Sequence, residues 1–151
     1  MIVKSLEHLN LISKKISTHL SKKDCIFLIG EIGVGKTTFT RHLINNLQSQ
    51  EGLKNTQILS PTFNLLYEYD INIFKVMHYD LFRIKESKEL NHLGIFSDDL
   101  DEIKIIEWPD LIETNISDVL ELHLSYSKIP DERDLNLEGK GKWKEFDLNE
   151  L

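Results

Sequence analysis

The sequence predicts an α/β domain with a central mixed β-sheet flanked by helices. The first indication is the unbroken apolar run Cys25–Ile29, which is typical of a strand buried on both faces. The apolar residues that follow recur at helical spacing: Phe39, Leu43, Ile44 and Leu47. Two alternating segments, 63–69 and 74–81, flank a short polar stretch at 70–72, so we expect a β-hairpin after that helix.

Length and composition indicate one globular domain. The 151 residues are enough for a single core and too few for two ordinary domains, so residues 1–151 are predicted to form one unit.

A net charge of -7 argues against direct binding to a nucleic-acid backbone, which requires lysine and arginine. The one cysteine, Cys25, is expected in the core in a reducing compartment, and no apolar run is long enough to span a membrane. We therefore expect a cytoplasmic protein without a membrane partner.

The segment that joins the first predicted strand to the helix reads GEIGVGKT, at 30–37. It fits the phosphate-binding pattern of Gly, four residues and Gly-Lys-Ser/Thr, and it has the strand and helix that this pattern requires. Glycines allow the backbone to wrap around phosphate oxygens, and the helix N-terminus adds positive partial charge. The sequence thus predicts a P-loop NTPase-like domain that binds a nucleoside triphosphate.

Each position of this loop has an expected role. Lys36 is predicted to reach the β- and γ-phosphates, and the Thr37 hydroxyl is predicted to ligate Mg²⁺. Thr38 is the expected donor to the α-phosphate. The predicted nucleotide site contains the whole stretch: Gly30, Glu31, Ile32, Gly33, Val34, Gly35, Lys36, Thr37 and Thr38.

Two predicted core strands end in a carboxylate, Asp80 and Glu107. In P-loop proteins a carboxylate at this end of a strand lies beside the Mg²⁺ site, where it holds the metal or its waters, or orients the attacking water. Asp80 is otherwise explained as a turn residue or helix cap, and Glu107 as a surface charge. Spacing does not decide which of them binds the metal.

Two further residues have a functional and a structural interpretation. Thr62, after Ser60-Pro61, is a candidate sensor of the γ-phosphate and metal, as in the switch regions of GTPases, or simply the first residue of a strand. Trp108, next to Glu107, either stacks on a base or a partner or packs in the core.

The remaining segments are assigned from periodicity. Residues 5–20 predict an amphipathic helix that serves either as a flap near the base or as a plain covering helix. Residues 86–94 predict a short helix that ends at glycine, followed by an acidic, solvated patch at Asp98, Asp99 and Asp101. A single helical turn is expected at 110–113. Two strands around a turn at 131–134 are expected near the C-terminus, and the basic stretch 139–144 is interpreted as a solvated end.

Taken together and in this order, the motifs resemble the TsaE family, the small bacterial P-loop ATPases of tRNA threonylcarbamoyladenosine biosynthesis. The matching segments cover most of residues 24–113. They read GEIGVGKTTFTR at 30–41, SPTFNLLYEY at 60–69, HYDLFR at 78–83, ELNHLGI at 89–95 and IIEWPDLI at 105–112. The loop alone is shared with many proteins, whereas the SPTF, HYDLFR and EWP segments at these separations are specific.

The resemblance implies an ATPase that requires ATP and Mg²⁺ and has weak activity alone. It implies a partner complex of the TsaD and TsaB type, which transfers a threonylcarbamoyl group to adenosine in tRNAs that decode ANN codons, so that tRNA is met through the partners. By the same resemblance, Lys36 and Thr37 match the phosphate and Mg²⁺ residues, and Thr62 and Asp80 fall in the switch-like segments. Glu107 matches the acidic residue near the metal, and Trp108 matches the tryptophan beside it. Arg133 matches a late arginine on the nucleotide side. Family members often carry a threonine near the nucleotide in the first helix, where this chain reads EHLN at 7–10.

Two other classes of function remain alternatives at this point. A small-molecule kinase needs a lid and an acceptor pocket, and the predicted hairpin lies where such kinases usually continue with helices. A GTPase-like switch is disfavoured because the chain has no Asn-Lys-x-Asp segment for guanine. The oligomeric state does not follow from the sequence.

Overall fold

One seven-stranded mixed sheet forms the centre of the protein, in the strand order β1-β7-β6-β2-β5-β4-β3. The computed structural model describes residues 1–97, 101–113 and 116–148. The strands are β1 (Ile2–Val3), β2 (Cys25–Ile29), β3 (Leu66–Ile71), β4 (Phe74–Asp80), β5 (Glu102–Glu107), β6 (Val119–Tyr126) and β7 (Arg133–Lys140). Two α-helices, α1 (Leu6–His19) and α2 (Lys36–Gln50), and three short 3₁₀ helices, Ser87–Leu93, Pro109–Leu111 and Gly141–Glu145, complete the described chain. The predicted α/β class with a mixed sheet is confirmed.

The centre of the sheet is parallel and its margins are antiparallel. Strand β2 pairs in parallel with β5 on one side and β6 on the other, and β5 pairs in parallel with β4. The predicted hairpin is confirmed as the antiparallel pair β3 and β4, and β6, β7 and β1 form the other antiparallel margin. Since parallel strands end at the same edge of a sheet, the ends of β2, β4 and β5 lie side by side.

Helices α1 and α2 pack together over one face of the sheet. Buried Leu9, Ile12 and Ile16 of α1 join the apolar side chains of α2 in one core cluster. Hydrogen bonds also connect the two helices: the Asn46 side-chain nitrogen donates to Asn10 Oδ1 at 3.1 Å and to Ser13 Oγ at 2.9 Å. Ser5 caps α1 by accepting a hydrogen bond from the His8 backbone N–H at 3.1 Å. This packing favours the covering-helix interpretation of α1.

The other face of the sheet is covered near β4 and β5 by the segment that follows β4. Met77, Tyr79 and Ile106 point to this side and pack with Leu90 and Ile95. The predicted short helix is confirmed as the 3₁₀ helix Ser87–Leu93, which ends at Gly94 in a left-handed conformation with φ of 68°. Of the predicted acidic patch, Asp101 forms an ion pair with Lys22, whereas Asp98 and Asp99 lie outside the described residues.

Two sequence predictions are corrected by the fold, and one short strand was missed. The first strand of the hairpin begins at Leu66 instead of Phe63, because residues 62–64 form a turn and Leu65 has a positive φ of 65°. The basic stretch 139–144 is not a solvated end, since it includes the end of β7 and the buried core residue Trp143. Lys142 there forms an ion pair with the buried Asp24. The short β1 carries no periodic signal and was not predicted.

Within the described ranges, neither α-helix has the length and hydropathy needed to cross a membrane.

Gly30, which follows β2 directly, should not tolerate a side chain. Its φ is 152°, and a Cβ placed there would lie 2.3 Å from the backbone carbonyl oxygen of Leu124. We expect Gly30→Ala to lower the free energy of unfolding by roughly 3 kcal/mol, because strain and overlap with backbone act together.

Urea denaturation of Gly30→Ala and of a matched control, Gly52→Ala, measures this effect. Gly52 has a φ of 70°, with nothing within 4 Å of the added Cβ, so its loss is expected to be only about 1 kcal/mol. Equal losses in the two variants would show that the close approach to Leu124 has no consequence.

Candidate functional site

A cleft of about 400 Å³ opens where the loop after β2 meets the ends of β4 and β5. Ten of the predicted site residues line it: Ile32, Gly33, Gly35, Lys36, Thr37, Thr38, Thr62, Asp80, Glu107 and Trp108. Four others, Gly30, Glu31, Val34 and Arg133, are not among its described lining residues. The fold therefore brings the loop, the strand-end carboxylates and the segment before the hairpin into one place, although they are far apart in the sequence.

The loop holds its lysine in a buried position. Lys36 is 5% exposed, and its ammonium donates to the carbonyl oxygens of Gly30 at 2.6 Å and Glu31 at 2.9 Å. The same ammonium lies 4.2 Å from the centre of the Trp108 ring. Burial lowers the pKa of Lys36, while the nearby carboxylates of Glu107 and Asp80 act in the opposite direction. The cleft is thus lined by a cation that two backbone carbonyls and the face of an aromatic ring hold in place.

The two carboxylates lie next to each other at the edge of the sheet. Asp80 and Glu107 are register partners at the ends of β4 and β5, and both are buried. Glu107 Oε1 accepts from the Thr37 hydroxyl at 2.9 Å and also contacts His78 Nε2 at 2.9 Å. Asp80 accepts from the Thr62 hydroxyl at 3.2 Å and from the Phe82 backbone at 3.0 Å.

The donor set of this cleft fits a hard divalent cation. Thr37, Asp80 and Glu107 offer one hydroxyl and two carboxylates, all of them oxygen ligands of the kind that Mg²⁺ prefers. Gly33 and Gly35 adopt positive φ values of 77° and 122°, which only a residue without Cβ adopts readily. The residues present therefore fit both a phosphate group against the loop and a metal ion beside the carboxylates.

Trp108 lies at the cleft, in a strained conformation. Its φ of 58° and ψ of 60° are left-handed, which is uncommon for a bulky residue and is often found at functional sites. The ring packs on Phe82, with 4.9 Å between ring centres, and partly covers Lys36. The ring therefore both lines the cleft and packs against another side chain, so its place agrees with each of the two interpretations, stacking on a ligand and packing in the core.

Arg133 and Tyr126 support the loop 30–37 through hydrogen bonds to its backbone. Arg133 Nε donates to the Val34 carbonyl at 3.1 Å, and the Tyr126 hydroxyl donates to the Ile32 carbonyl at 2.9 Å. The guanidinium also lies 4.7 Å from the centre of the Tyr126 ring. The nucleotide-side role of Arg133 stays a prediction, and its observed contact is with the loop backbone.

Sequence reasoning missed Tyr126 and His78 as site residues. Tyr126 is the last residue of β6, whose neighbour β2 leads into the loop, but no motif marks it. His78 lies two residues before Asp80 and so shares its face of β4, which is the signal that was available for it.

Removing the Tyr126 hydroxyl tests whether this support matters. We expect Tyr126→Phe to weaken nucleotide binding by about 2- to 10-fold, because the loop loses one hydrogen bond that fixes its shape. Isothermal titration calorimetry measures the affinity, with Tyr67→Phe on β3 as the control. Unchanged affinity in Tyr126→Phe would show that the loop keeps its shape without this bond.

The fold and this cleft define an α/β protein with a mixed seven-stranded sheet and a glycine-rich loop between β2 and α2. The family model described as "Threonylcarbamoyl adenosine biosynthesis protein TsaE" matches residues 3–135. The chain therefore belongs to the TsaE family, as its motifs predict.

Individual relatives agree with this assignment. The chain is 36% identical over 114 residues to the protein of Rickettsia felis named "tRNA threonylcarbamoyladenosine biosynthesis protein TsaE", a match that covers 75% of this chain and 64% of the relative. It is 32% identical over 117 residues to the protein of that name from Bacillus subtilis, covering 73% and 66% of the two chains. The match to the Rickettsia felis relative thus spans slightly less than two thirds of that protein's length.

A solved structure shares the fold. The crystal structure of YdiB from Bacillus subtilis superimposes with a TM-score of 0.71, over 96% of this chain and 87% of that one, at 23% identity. At this identity the similarity bears on the architecture only.

Proposed function

We propose that this protein is a Mg²⁺-dependent ATPase that supports threonylcarbamoyladenosine formation in tRNA through a partner complex of the TsaD and TsaB type. One observation carries the ATPase part: Lys36, Thr37, Asp80 and Glu107 line the same cleft beside the loop. Membership of the TsaE family, and the names that its relatives carry, support the biosynthetic role.

The chemistry of each cleft residue suggests its part in ATP hydrolysis. The loop amides and the Lys36 ammonium neutralise the phosphate oxygens, for which Lys36 gives up its bonds to the Gly30 and Glu31 carbonyls. Thr37 and one carboxylate would hold Mg²⁺, which would supply charge neutralisation on the phosphates. The other carboxylate orients the attacking water. Asp80 and Glu107 are adjacent and both line the cleft, so either assignment is compatible with their place.

Arginine placement supports slow hydrolysis in isolation. Arg41 lines the cleft, but its Nε donates to the Ile58 carbonyl at 3.1 Å. Arg83 lies over the exposed Phe63 ring, 4.3 Å from its centre. We therefore expect slow hydrolysis by the isolated protein, with a partner completing the charge stabilisation. The net charge of -7 is consistent with contact to tRNA through such partners.

The experiment follows repeated cycles of tRNA modification. Purified protein is combined with the TsaD and TsaB type partners, tRNA and ATP, and ATP turnover and modified adenosine are measured together. We expect the partners to raise turnover, and Lys36→Ala and Glu107→Ala to abolish repeated modification while remaining folded. If ATP turnover is the same with and without the partners, and a small metabolite is phosphorylated instead, the proposal is overturned in favour of a kinase.

A further inference from the structure

His78 is a buried polar side chain that the proposed chemistry does not use. It is fully buried on β4, where it pairs in register with Ile105 of β5. It shares its face of the sheet with Val76 and Asp80, and this face packs under α2. A polar ring among Ile103, Ile105 and other apolar groups requires a partner to offset the loss of water.

Its partner is the carboxylate that faces the cleft. His78 Nε2 lies 2.9 Å from Glu107 Oε1, and Glu107 is 3% exposed. Because an ionised carboxylate only accepts, the proton in this bond belongs to Nε2. The other ring nitrogen, Nδ1, is buried and has no hydrogen-bond partner among the described residues. Since an unpaired buried N–H group is rarer than an unpaired acceptor, this arrangement favours the neutral ring with its hydrogen on Nε2.

Glu107 Oε1 thus accepts two hydrogen bonds of equal length, from Thr37 and from His78, at 2.9 Å each. The two donors differ in what else they do. Thr37 lines the cleft and is a predicted metal ligand, so its hydroxyl changes surroundings when the cleft is filled. His78 is fully buried and is not among the described lining residues of the cleft, so it can hold the carboxylate whether or not the cleft is filled.

We propose that His78 is a positioning residue that orients Glu107 toward the metal side of the cleft through its Nε2–H donor. This inference rests on the proposed function, because Glu107 has a metal side only if the cleft binds Mg²⁺ and nucleotide. Outer partners of metal-binding groups generally act in this way, by fixing the direction of the ligand without touching the metal.

The test compares two amides that differ in reach. In His78→Gln the side-chain nitrogen takes the place of Nε2 and keeps the donor to Glu107, whereas in His78→Asn it takes the place of Nδ1 and falls short. Nucleotide affinity is measured by calorimetry with Mg²⁺ and with chelator, and the ratio of the two values gives the contribution of the metal. We expect the ratio to fall about tenfold in His78→Asn and to stay near wild type in His78→Gln, with affinity in chelator unchanged in both.

Val76→Ala serves as the control for packing, since Val76 is buried on the same face of β4. It should lower the melting temperature and leave the metal contribution intact. The inference is overturned if His78→Asn and His78→Gln both keep the wild-type ratio, or if both lose it equally while folded. If the wild-type protein shows no Mg²⁺-dependent nucleotide binding, the proposed function fails, and the positioning role fails with it.

A second readout does not depend on the ligand. Nitrogen NMR of the histidine side chains in the free protein reports which ring nitrogen carries the hydrogen. We expect His78 to be protonated at Nε2 and unprotonated at Nδ1. The opposite form would contradict the inference even where the proposed function holds.

Discussion

Lys36→Ala is expected to reduce ATP turnover by a factor on the order of 10² to 10³, because the loop loses the charged donor that Lys36 places in the cleft. The same change should lower the free energy of unfolding by no more than about 1 kcal/mol. Burial lowers the pKa of Lys36, so the cost of burying this charge offsets part of what its two carbonyl bonds contribute to stability. Phosphate release and urea denaturation, measured on one preparation, separate the two effects.

Lys22→Ala is the matched control for that prediction. Lys22 forms an exposed ion pair with Asp101, for which a small stability change and normal turnover are expected. If Lys36→Ala retains wild-type turnover, the ammonium has no part in the reaction. If it unfolds the protein, the contacts of Lys36 with the Gly30 and Glu31 carbonyls are a structural requirement.

Glu107→Gln should have an effect of similar size on turnover, roughly 10²-fold or more, for a different reason. The amide oxygen can still accept from Thr37 and His78, so the fold is kept, but the negative charge that favours a bound cation is lost. We therefore expect the Mg²⁺ concentration for half-maximal turnover to rise as well. Titration of Mg²⁺ at saturating ATP measures it.

Two comparisons sharpen the prediction for Glu107. Asp80→Asn at the neighbouring strand end distinguishes the residue that binds the metal from the one that orients water, since only the first should shift the Mg²⁺ dependence strongly. Glu68→Gln removes an exposed carboxylate from β3 and should change nothing. A normal Mg²⁺ dependence and turnover in Glu107→Gln would exclude this carboxylate from the site.

The sequence predicted the central elements well because their periodicity follows burial. Strand β2 reads as an apolar run because it lies inside the sheet, between β5 and β6. The apolar face of α2 appears in the sequence at helical spacing. Asp80 and Glu107 were predicted to lie beside the metal because each ends a core strand, and parallel strands end at the same side of a sheet. Their adjacency in the sheet agrees with that rule.

The features that were missed depend on contacts between distant segments. The bond from Tyr126 to the loop spans 94 positions and that from Arg133 spans 99, so no local pattern encodes them. Similarly, the basic stretch near the C-terminus appears solvated in sequence, because nothing local indicates that Trp143 fills the core or that Lys142 pairs with Asp24. The strand β1 consists of only two residues, which is too short for any periodicity.

The central claim is that the cleft binds and hydrolyses ATP with Mg²⁺. Phosphate release from ATP by the wild-type protein and by Lys36→Ala, with Mg²⁺ and with chelator, tests it most directly. We predict slow turnover by the wild-type protein that requires Mg²⁺, rises when the partner complex and tRNA are added, and is lost in Lys36→Ala. Equal phosphate release from both proteins, or release that is insensitive to chelator, would contradict the claim.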